Sequence, residues 1–361
     1  MSTAPMSDTH QQIFGKRLAQ GRKMRGLSLQ ALADELGGII TKQALNKYEQ
    51  GLMMPNSDVL TALADKLGLS LDFFFRPFGA EISQIEFRKR TKLTVKEEES
   101  IRQKAADFLE RYLELEELVA VKSEFIHPLK HRHIKSADDV EKAASALRAE
   151  WQIGTDAIPN VMEFLEDKHI KVCELEAPES FDGFSGWADG VPIIVLNAKF
   201  NANVPRKRWT ALHELGHLIL DFSQARADSK QVERYCHQFA GAVLMPKPVF
   251  ESEFGGKRTN VTLQELVDIK ENYGISIAAV MARARTLGFI SEGLYKKFCI
   301  VSSQENWRAH EPGEYKGSEV SKRFDQLLYR AVAEEYVTLS KAANLKEQSL
   351  EQFRQSLELV A

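Results

Sequence analysis

His213-Glu214-Leu215-Gly216-His217 is the stretch from which the fold of the C-terminal part of this chain can be predicted. Histidines four residues apart on a helix lie on the same face, so both imidazoles can bind one metal ion. Glu214 lies about 100° around the helix from His213, which directs it to the open position beside such an ion, where a general base is needed. The pattern therefore predicts a helical zinc site of the peptidase type.

The sequence around this motif favours a buried helix. Apolar residues flank the motif without an internal proline, and Asn203 and Pro205 supply start signals upstream. Gly216 costs the helix about 1 kcal/mol relative to alanine, which indicates that another part of the chain packs closely against it. The alternative is a core helix whose histidines are hydrogen-bonded to neighbours, but two histidines together with a glutamate favour the metal site.

A third ligand is predicted on the next helix. Residues 232–245 have helical periodicity, and the loop 221–230 is long enough to turn this helix back antiparallel to the first. Glu233 and His237 lie one turn apart on it. We assign Glu233 as the metal ligand that joins the two motif histidines. His237 is the competing ligand, and we assign it instead as a catalytic neighbour that holds a ligand or contacts the substrate oxyanion. The alternative is that His237 is an ordinary polar residue near the site.

The two segments together resemble a known family. His213-Glu-Leu-Gly-His-Leu-Ile-Leu, followed by Glu233-x-x-Cys-His-x-Phe-Ala and Leu-Met-Pro, is similar to the ImmA/IrrE family of metallopeptidases. The resemblance implies that His213, His217 and Glu233 hold zinc, with manganese as a second candidate, and that Glu214 activates the water.

Two positions of the second helix depart from the usual pattern of that family. Cys236 stands where alanine is usual, and His237 stands where asparagine or aspartate is usual. Neither change removes a ligand. They bear on the metal preference and on the chemistry around the ligands rather than on the three-ligand assignment.

The N-terminal residues have a different pattern, that of short helices joined by tight turns. Apolar residues along 14–36 supply a small core, Ser28 caps a second helix, and Thr41 caps a third. Two further helices are predicted, from about residue 57 to 67 and from Ser70 onward. Five helices in about sixty residues, with a sharp turn between the second and third, are typical of a helix-turn-helix module.

The run Leu45-Asn-Lys-Tyr-Glu-Gln-Gly51, with the later Leu63-Ala-Asp-Lys-Leu-Gly68, resembles the Xre/Cro family of DNA-binding domains. The resemblance implies that the third helix enters the major groove of a double-stranded DNA operator, and helix-turn-helix proteins commonly read paired half-sites as homodimers. Amide side chains there suit adenine, and lysine suits phosphate. The predicted DNA-binding residues are Thr41, Lys42, Gln43, Asn46 and Lys47. The alternative is a small helical domain that binds protein.

Charge supports DNA binding only weakly. Residues 1–76 carry nine Lys and Arg against seven Asp and Glu, and five of the nine lie between Lys16 and Arg25. The whole chain has a net charge of −3, which argues against a protein that coats nucleic acid non-specifically. DNA affinity is therefore expected on one local surface.

Length and composition predict a multidomain protein of the cytoplasm. The chain has 361 residues, of which 43% are hydrophobic, enough for two or three cores. Its three cysteines are widely spaced and form no CxxC pair, as expected in a reducing compartment. No apolar run approaches the roughly twenty residues of a membrane span, and residues 1–12 are polar, unlike a signal peptide.

We expect a mainly α fold with a small β-sheet, an α+β architecture in four parts. These are a five-helix helix-turn-helix domain (1–78), a helical linker that offers a dimerisation surface (79–135), a zincin-like metallopeptidase domain (136–250) and a C-terminal helical subdomain (251–361).

Two segments between the motifs have distinctive patterns. Residues 95–122 read as one long helix whose apolar stripe needs a partner, either the peptidase domain or the same helix of a second subunit. Residues 170–175 and 191–197 read as strands flanking a loop, 180–190. An edge strand there is expected to take a substrate segment by β-addition.

The combination predicts a DNA-binding regulator that carries a zinc-dependent endopeptidase. The expected substrate is a repressor or antitoxin-like regulator, and the chain itself is a second candidate. The alternative is a DNA-binding repressor whose metal site is a sensor or a structural support, and a third interpretation is an interaction scaffold without a specific DNA site.

Overall fold

The structure is a computed structural model that describes residues 9–77, 83–87, 93–122, 124–225 and 227–357. Its residues divide into two compact units. Unit 1 contains the described residues up to 77, those of 93–122 and those from 322 onward. Unit 2 contains 83–87 and the described residues of 124–321. The four domain bounds given above stay predictions.

Unit 1 begins with the predicted series of short helices. Their bounds are α1 His10–Met24, α2 Leu29–Glu35, α3 Lys42–Glu49, α4 Ser57–Leu67 and a 3-10 helix at Leu71–Phe75. The side chains of Thr9, Ser28, Thr41 and Asn56 cap the four α-helices by accepting a backbone N–H three residues ahead. The fifth predicted helix is the 3-10 helix. The fully buried members of the core are Phe14, Leu18, Leu32, Leu45, Leu63 and Phe74.

The long helix of unit 1 packs on the end of the chain. It is α5, Val95–Leu118, and the last helices are α14 Arg323–Ala333, α15 Leu339–Lys346 and α16 Leu350–Ser356. Tyr112 and Leu115 of α5 pack in one apolar cluster with Phe324 and Leu328 of α14. The other flank of α5 contacts α1. The partners expected for the apolar stripe of α5 were the peptidase domain or the same helix of a second subunit. In the structure α5 packs instead on α14 and α1.

Unit 2 contains a four-stranded sheet. Its strands are β1 Ser83–Phe87, β2 Lys171–Leu175, β3 Gly183–Ala188 and β4 Val191–Asn197, in the order β1-β3-β4-β2. Strand β4 pairs parallel with β2 and antiparallel with β3, and β1 pairs antiparallel with β3.

The prediction of a loop at 180–190 is wrong, because this segment contains strand β3. Two glycines and a serine within Gly183–Ala188 weaken the strand pattern. The turn to β4 is the signal that was missed. It consists of Asp189 and Gly190, with φ of 50° and 84°, and two consecutive residues with positive φ make the tight turn that matches the twist of a hairpin.

Eight α-helices complete the described part of unit 2. Their bounds are α6 Ala137–Glu150, α7 Val161–Asp167, α8 Val204–Ile219, α9 Ser229–Leu244, α10 Lys247–Phe254, α11 Leu263–Tyr273, α12 Ile277–Thr286 and α13 Glu292–Gln304. Two of them, α7 and α8, pack on the sheet. Helix α8 packs against α9 and lies against β3 and β4, and α9 also packs on α6. The predicted fold class, mainly α with a small sheet, is confirmed. Among the described residues, no helix has both the length and the apolar character required to cross a bilayer.

Candidate metal centre and candidate DNA-reading helix

The motif stretch lies in the second half of α8, in the interior of unit 2. The helix starts at Asn203, whose side chain accepts the N–H of Arg206 at 3.2 Å, with Pro205 in the first turn. His213 and Glu214 are both 0% exposed. Ionisable side chains are rarely buried so completely without a partner, so the site requires specific contacts for both residues.

Helix α9 brings Glu233 to the histidines because Gly216 allows close approach. A Cβ at Gly216 would lie 3.3 Å from Cβ and Sγ of Cys236 and 3.3 Å from the ring of Phe239. The close packing expected at Gly216 is therefore present. Cys236 fills this contact, and burial raises the pKa of its thiol despite a hydrogen bond to His217.

Three side chains converge with the spacing of a metal site. The Nε2 atoms of His213 and His217 lie 3.1 Å apart. Glu233 places Oε2 3.5 Å from Nε2 of His213 and Oε1 3.4 Å from Nε2 of His217. A tetrahedral zinc ion with bonds of about 2.0–2.1 Å holds its ligand atoms about 3.3–3.4 Å apart. Two imidazoles and a carboxylate at these distances fit zinc.

Glu233 is a carboxylate at neutral pH. Burial would raise its pKa, but hydrogen bonds to His213 and His217 and the charges of both rings outweigh burial and hold the pKa far below its usual range. An anionic oxygen ligand beside two imidazoles is the donor set expected for a catalytic zinc.

The carboxylate of Glu214 contacts strand β3 of the sheet. Its Oε2 accepts a hydrogen bond from Oγ of Ser185 in β3 at 3.2 Å, and Ser185 is 2% exposed. The hydroxyl orients the carboxylate of the predicted base. Ser185 was not predicted as a site residue, since it lies in a segment predicted to be a loop and no motif marks it.

His237 lies beside His213 and is fixed by Trp209. The rings of His213 and His237 are 4.3 Å apart, and ligand atoms of His213, Glu233 and His237 lie within 4.8 Å of one another. Indole Nε1 of Trp209 donates to Nδ1 of His237 at 3.1 Å. An indole N–H is only a donor, so Nδ1 accepts and the ring proton of a neutral His237 is on Nε2. That tautomer presents a hydrogen-bond donor rather than a metal ligand. Sequence analysis did not single out Trp209 for this role.

The predicted DNA-binding residues share the outer surface of α3. Leu45 and Tyr48 of this helix are buried in the core of unit 1. The five residues on its other face are all exposed, namely Thr41, Lys42, Gln43, Asn46 and Lys47. Thr41 also caps the helix by accepting the N–H of Ala44. The arrangement presents polar and basic groups together, and the reading roles of these residues stay predictions.

Helix α1 holds α3 in place at two points. Arg22 makes a two-pronged ion pair with Glu49, at 2.6 and 2.8 Å. A Cβ at Gly15 would lie 2.5 Å from the carbonyl oxygen of Tyr48, so only glycine permits this approach of the two helices. An ion pair and a close backbone approach thus hold α3 against α1.

Much of the positive charge noted between Lys16 and Arg25 is already paired. Arg17 is fully buried against Glu110, and Lys23 pairs with Glu99 at 3.0 Å. With Arg22 held by Glu49, three of the five cations of this segment have carboxylate partners. Charge on α1 therefore adds less to a DNA-binding surface than the sequence count implied.

Two regions of the chain match known families. Residues 18–74 match the family model described as helix-turn-helix, and residues 165–285 match the peptidase M78 model described as the IrrE N-terminal-like domain. YonR, named as an SPbeta prophage-derived uncharacterized HTH-type transcriptional regulator of Bacillus subtilis (strain 168), is 44% identical over 69 residues. Those residues are 19% of this chain and 62% of the relative, so the chain spans less than two thirds of that relative's length. Both resemblances seen in the sequence are confirmed, and the chain contains a helix-turn-helix domain together with an IrrE N-terminal-like domain.

Proposed function

We propose that unit 2 is a zinc-dependent endopeptidase and that α3 of unit 1 binds a DNA operator. The observation that carries the peptidase half is the convergence of His213, His217 and Glu233, with Glu214 held beside them by Ser185. Zinc, or manganese in its place, would polarise the scissile carbonyl and make the attacking water more acidic.

Each remaining group has a distinct role in peptide hydrolysis. Glu214, oriented by the Ser185 hydroxyl, takes the proton of the water and hands it to the leaving amine. His237, with its Nδ1 occupied by Trp209, offers Nε2–H to the oxyanion that forms at the carbonyl. A cavity of about 290 Å³ is lined in part by His237 and Trp209, and we infer that it takes a side chain of the substrate.

The DNA-binding domain on the same chain favours a regulatory substrate. A peptidase joined to an operator-binding module acts where regulators are bound, so we infer that it cleaves a regulatory protein, a repressor or antitoxin-like helix-turn-helix protein, in the cytoplasm. Homodimers are expected because helix-turn-helix proteins read paired half-sites. The second candidate function is a repressor whose metal site is a sensor, which the metal-binding geometry also supports.

Glu214→Gln and His213→Ala test the peptidase assignment. Gln keeps the shape of the side chain but accepts no proton, so the variant should bind zinc normally and lose cleavage by a factor of at least about a thousand. His213→Ala should lose the metal itself. Both proteins are incubated with purified helix-turn-helix regulators, and products and metal content are measured. Cleavage by zinc-loaded Glu214→Gln would refute the role of Glu214, and zinc-dependent DNA binding without any cleavage by the wild type would favour the sensor.

Gln43→Ala and Asn46→Ala test the DNA-reading role of α3. Loss of an amide that hydrogen-bonds adenine should reduce the free energy of binding to the operator by about 1–3 kcal/mol. It should also relax the sequence preference at one base pair. Lys47→Ala should lower the affinity for all DNA sequences by the same factor. It should also reduce the slope of log affinity against log salt concentration by about one. The operator is first selected from random duplexes, and affinities are then measured by fluorescence anisotropy. Gln264→Ala, on an exposed helix face of unit 2, is the control, and equal affinities for all four variants would refute the assignment.

A further inference from the structure

Strand β3 contacts the proposed catalytic base through a side chain on one of its faces. Ser185 in its centre hydrogen-bonds Glu214 at 3.2 Å. One edge of β3 is paired with β4, where Ser185 lies opposite Ile194. The other edge is therefore the place where an extended peptide would be held by backbone hydrogen bonds next to Glu214.

In the structure a strand of the same chain pairs with this edge of β3. Strand β1 runs antiparallel to β3, with Glu86 opposite Ser185 and Phe87 opposite Phe184. The backbone at Glu86 thus passes the residue that orients the catalytic base. This segment lies about a hundred residues before β3 in the sequence and outside the region, 165–285, that matches the IrrE-like model.

We propose that the β1-facing edge of β3 is the substrate-binding edge of the site, and that Ser83–Phe87 occupies it in cis as a substrate-like inhibitory strand. This rests on the proposed peptidase function. The substrate class that follows is an extended, locally unfolded protein segment that binds antiparallel to β3. Cleavage requires β1 to leave first.

The strand is built to be displaceable. It has five residues, pairs with β3 alone among the described strands, and its register shifts between Ser83 and Glu86. Short, irregular edge strands contribute little stability of their own. Because β1 is tethered, its effective concentration at the edge is in the millimolar range, so weak pairing is enough to exclude a dilute substrate.

Glu86→Pro tests the proposal in the full-length protein, with Glu86→Gln as the matched control. Proline removes the N–H opposite Ser185 and disfavours the strand, whereas glutamine keeps the backbone intact. Hydrogen exchange of Gly183–Ala188 should become at least tenfold faster in Glu86→Pro and stay unchanged in Glu86→Gln. Replacement of residues 83–87 by Gly-Ser-Gly-Ser-Gly should reproduce the proline result, and unchanged zinc content shows that the site still folds.

A fluorescent peptide of residues 78–92 supplies the second measurement. Zinc-loaded Glu214→Gln protein that also carries Glu86→Pro should bind this probe at least tenfold more tightly than Glu214→Gln alone. Unchanged exchange and unchanged probe affinity would overturn the inference. Faster exchange and tighter binding without cleavage by the Glu86→Pro protein would keep the edge assignment and refute the peptidase. Self-cleavage within 83–87 on adding zinc would refute the inhibitory role, since an inhibitor must stay intact.

Discussion

At the scale of single residues, the candidate site contains two hydrogen bonds between elements of unit 2, one from β3 to α8 and one from α8 to α9. Ser185 donates to Glu214, and Trp209 donates to His237. The first contact orients the carboxylate proposed as the base, and the second selects one ring tautomer of His237. Both donors are neutral, so they orient the reacting groups without adding a charge that competes with a bound cation.

Trp209→Phe should separate orientation of His237 from metal binding. Phenylalanine retains an aromatic ring against His237 but lacks the N–H, so His237 is free to adopt the other tautomer and lose its donor toward the oxyanion. We expect kcat to fall by a factor of about ten to a hundred while KM and zinc content change little. Trp151→Phe, at the end of α6, makes the same chemical change elsewhere and should leave kcat intact. If KM rose while kcat stayed unchanged, Trp209 would contribute to substrate binding and not to the orientation of His237.

The candidate ligands could be named from the sequence and the residues that contact the site could not, for a physical reason. His213, His217 and Glu233 follow helical spacing, which is a local property of the chain. Ser185 and Trp209 act across tertiary contacts, 29 residues from Glu214 and 28 from His237, and neither contact has a sequence spacing of its own. Both became visible only when β3, α8 and α9 were placed together.

At the scale of elements, local signals predicted helices well and strands less well. Caps such as Ser28, Thr41 and Asn203 mark helix starts that the structure confirms. Strand β3 was not predicted because glycine and serine interrupt its alternating apolar pattern. The pair Asp189-Gly190 is nevertheless a sequence signal for a hairpin turn. Strand pairing is a non-local property, so the sheet order β1-β3-β4-β2 had no local signal.

Gly216→Ala should reveal how closely α8 and α9 control the ligand distances. Alanine gains about 1 kcal/mol of helix propensity, but its Cβ would meet Cys236 and Phe239 at 3.3 Å, so the helices must separate by a few tenths of an ångström. We expect Glu233 to move with α9 and zinc affinity to fall about tenfold.

The matched control for this change is Gly293→Ala in α13. There a Cβ meets only Oγ of Ser291, at 3.7 Å, so the variant should gain stability and keep wild-type zinc affinity. Affinities are measured by competition with a chromogenic chelator. If Gly216→Ala bound zinc with wild-type affinity, the packing of α8 on α9 would tolerate an added methyl group without moving Glu233.

At the scale of the whole molecule, unit 1 closes with the last helices of the chain. Helix α14 packs on α5, α5 packs on α1, and α1 holds α3 through Gly15 and the Arg22–Glu49 pair. More than two hundred residues separate α5 from α14, and the apolar stripe of α5 indicated that a partner exists without naming it. The face predicted to bind DNA is therefore supported by helices far away in the sequence.

Leu328→Ala tests whether this support reaches the DNA-binding domain. Leu328 is 0% exposed in the cluster between α14 and α5, so its truncation should cost about 2–5 kcal/mol through lost burial and the cavity left behind. We expect faster hydrogen exchange in α5 and α14, a smaller loss of protection in α1, and unchanged zinc affinity, because the predicted ligands lie in α8 and α9. Leu263→Ala, at a position 43% exposed in α11, is the control and should cost about 0.5 kcal/mol or less. If α1 and α3 keep full protection while α5 loses it, the helix-turn-helix domain is stable without the C-terminal helices, and these helices serve α5 alone.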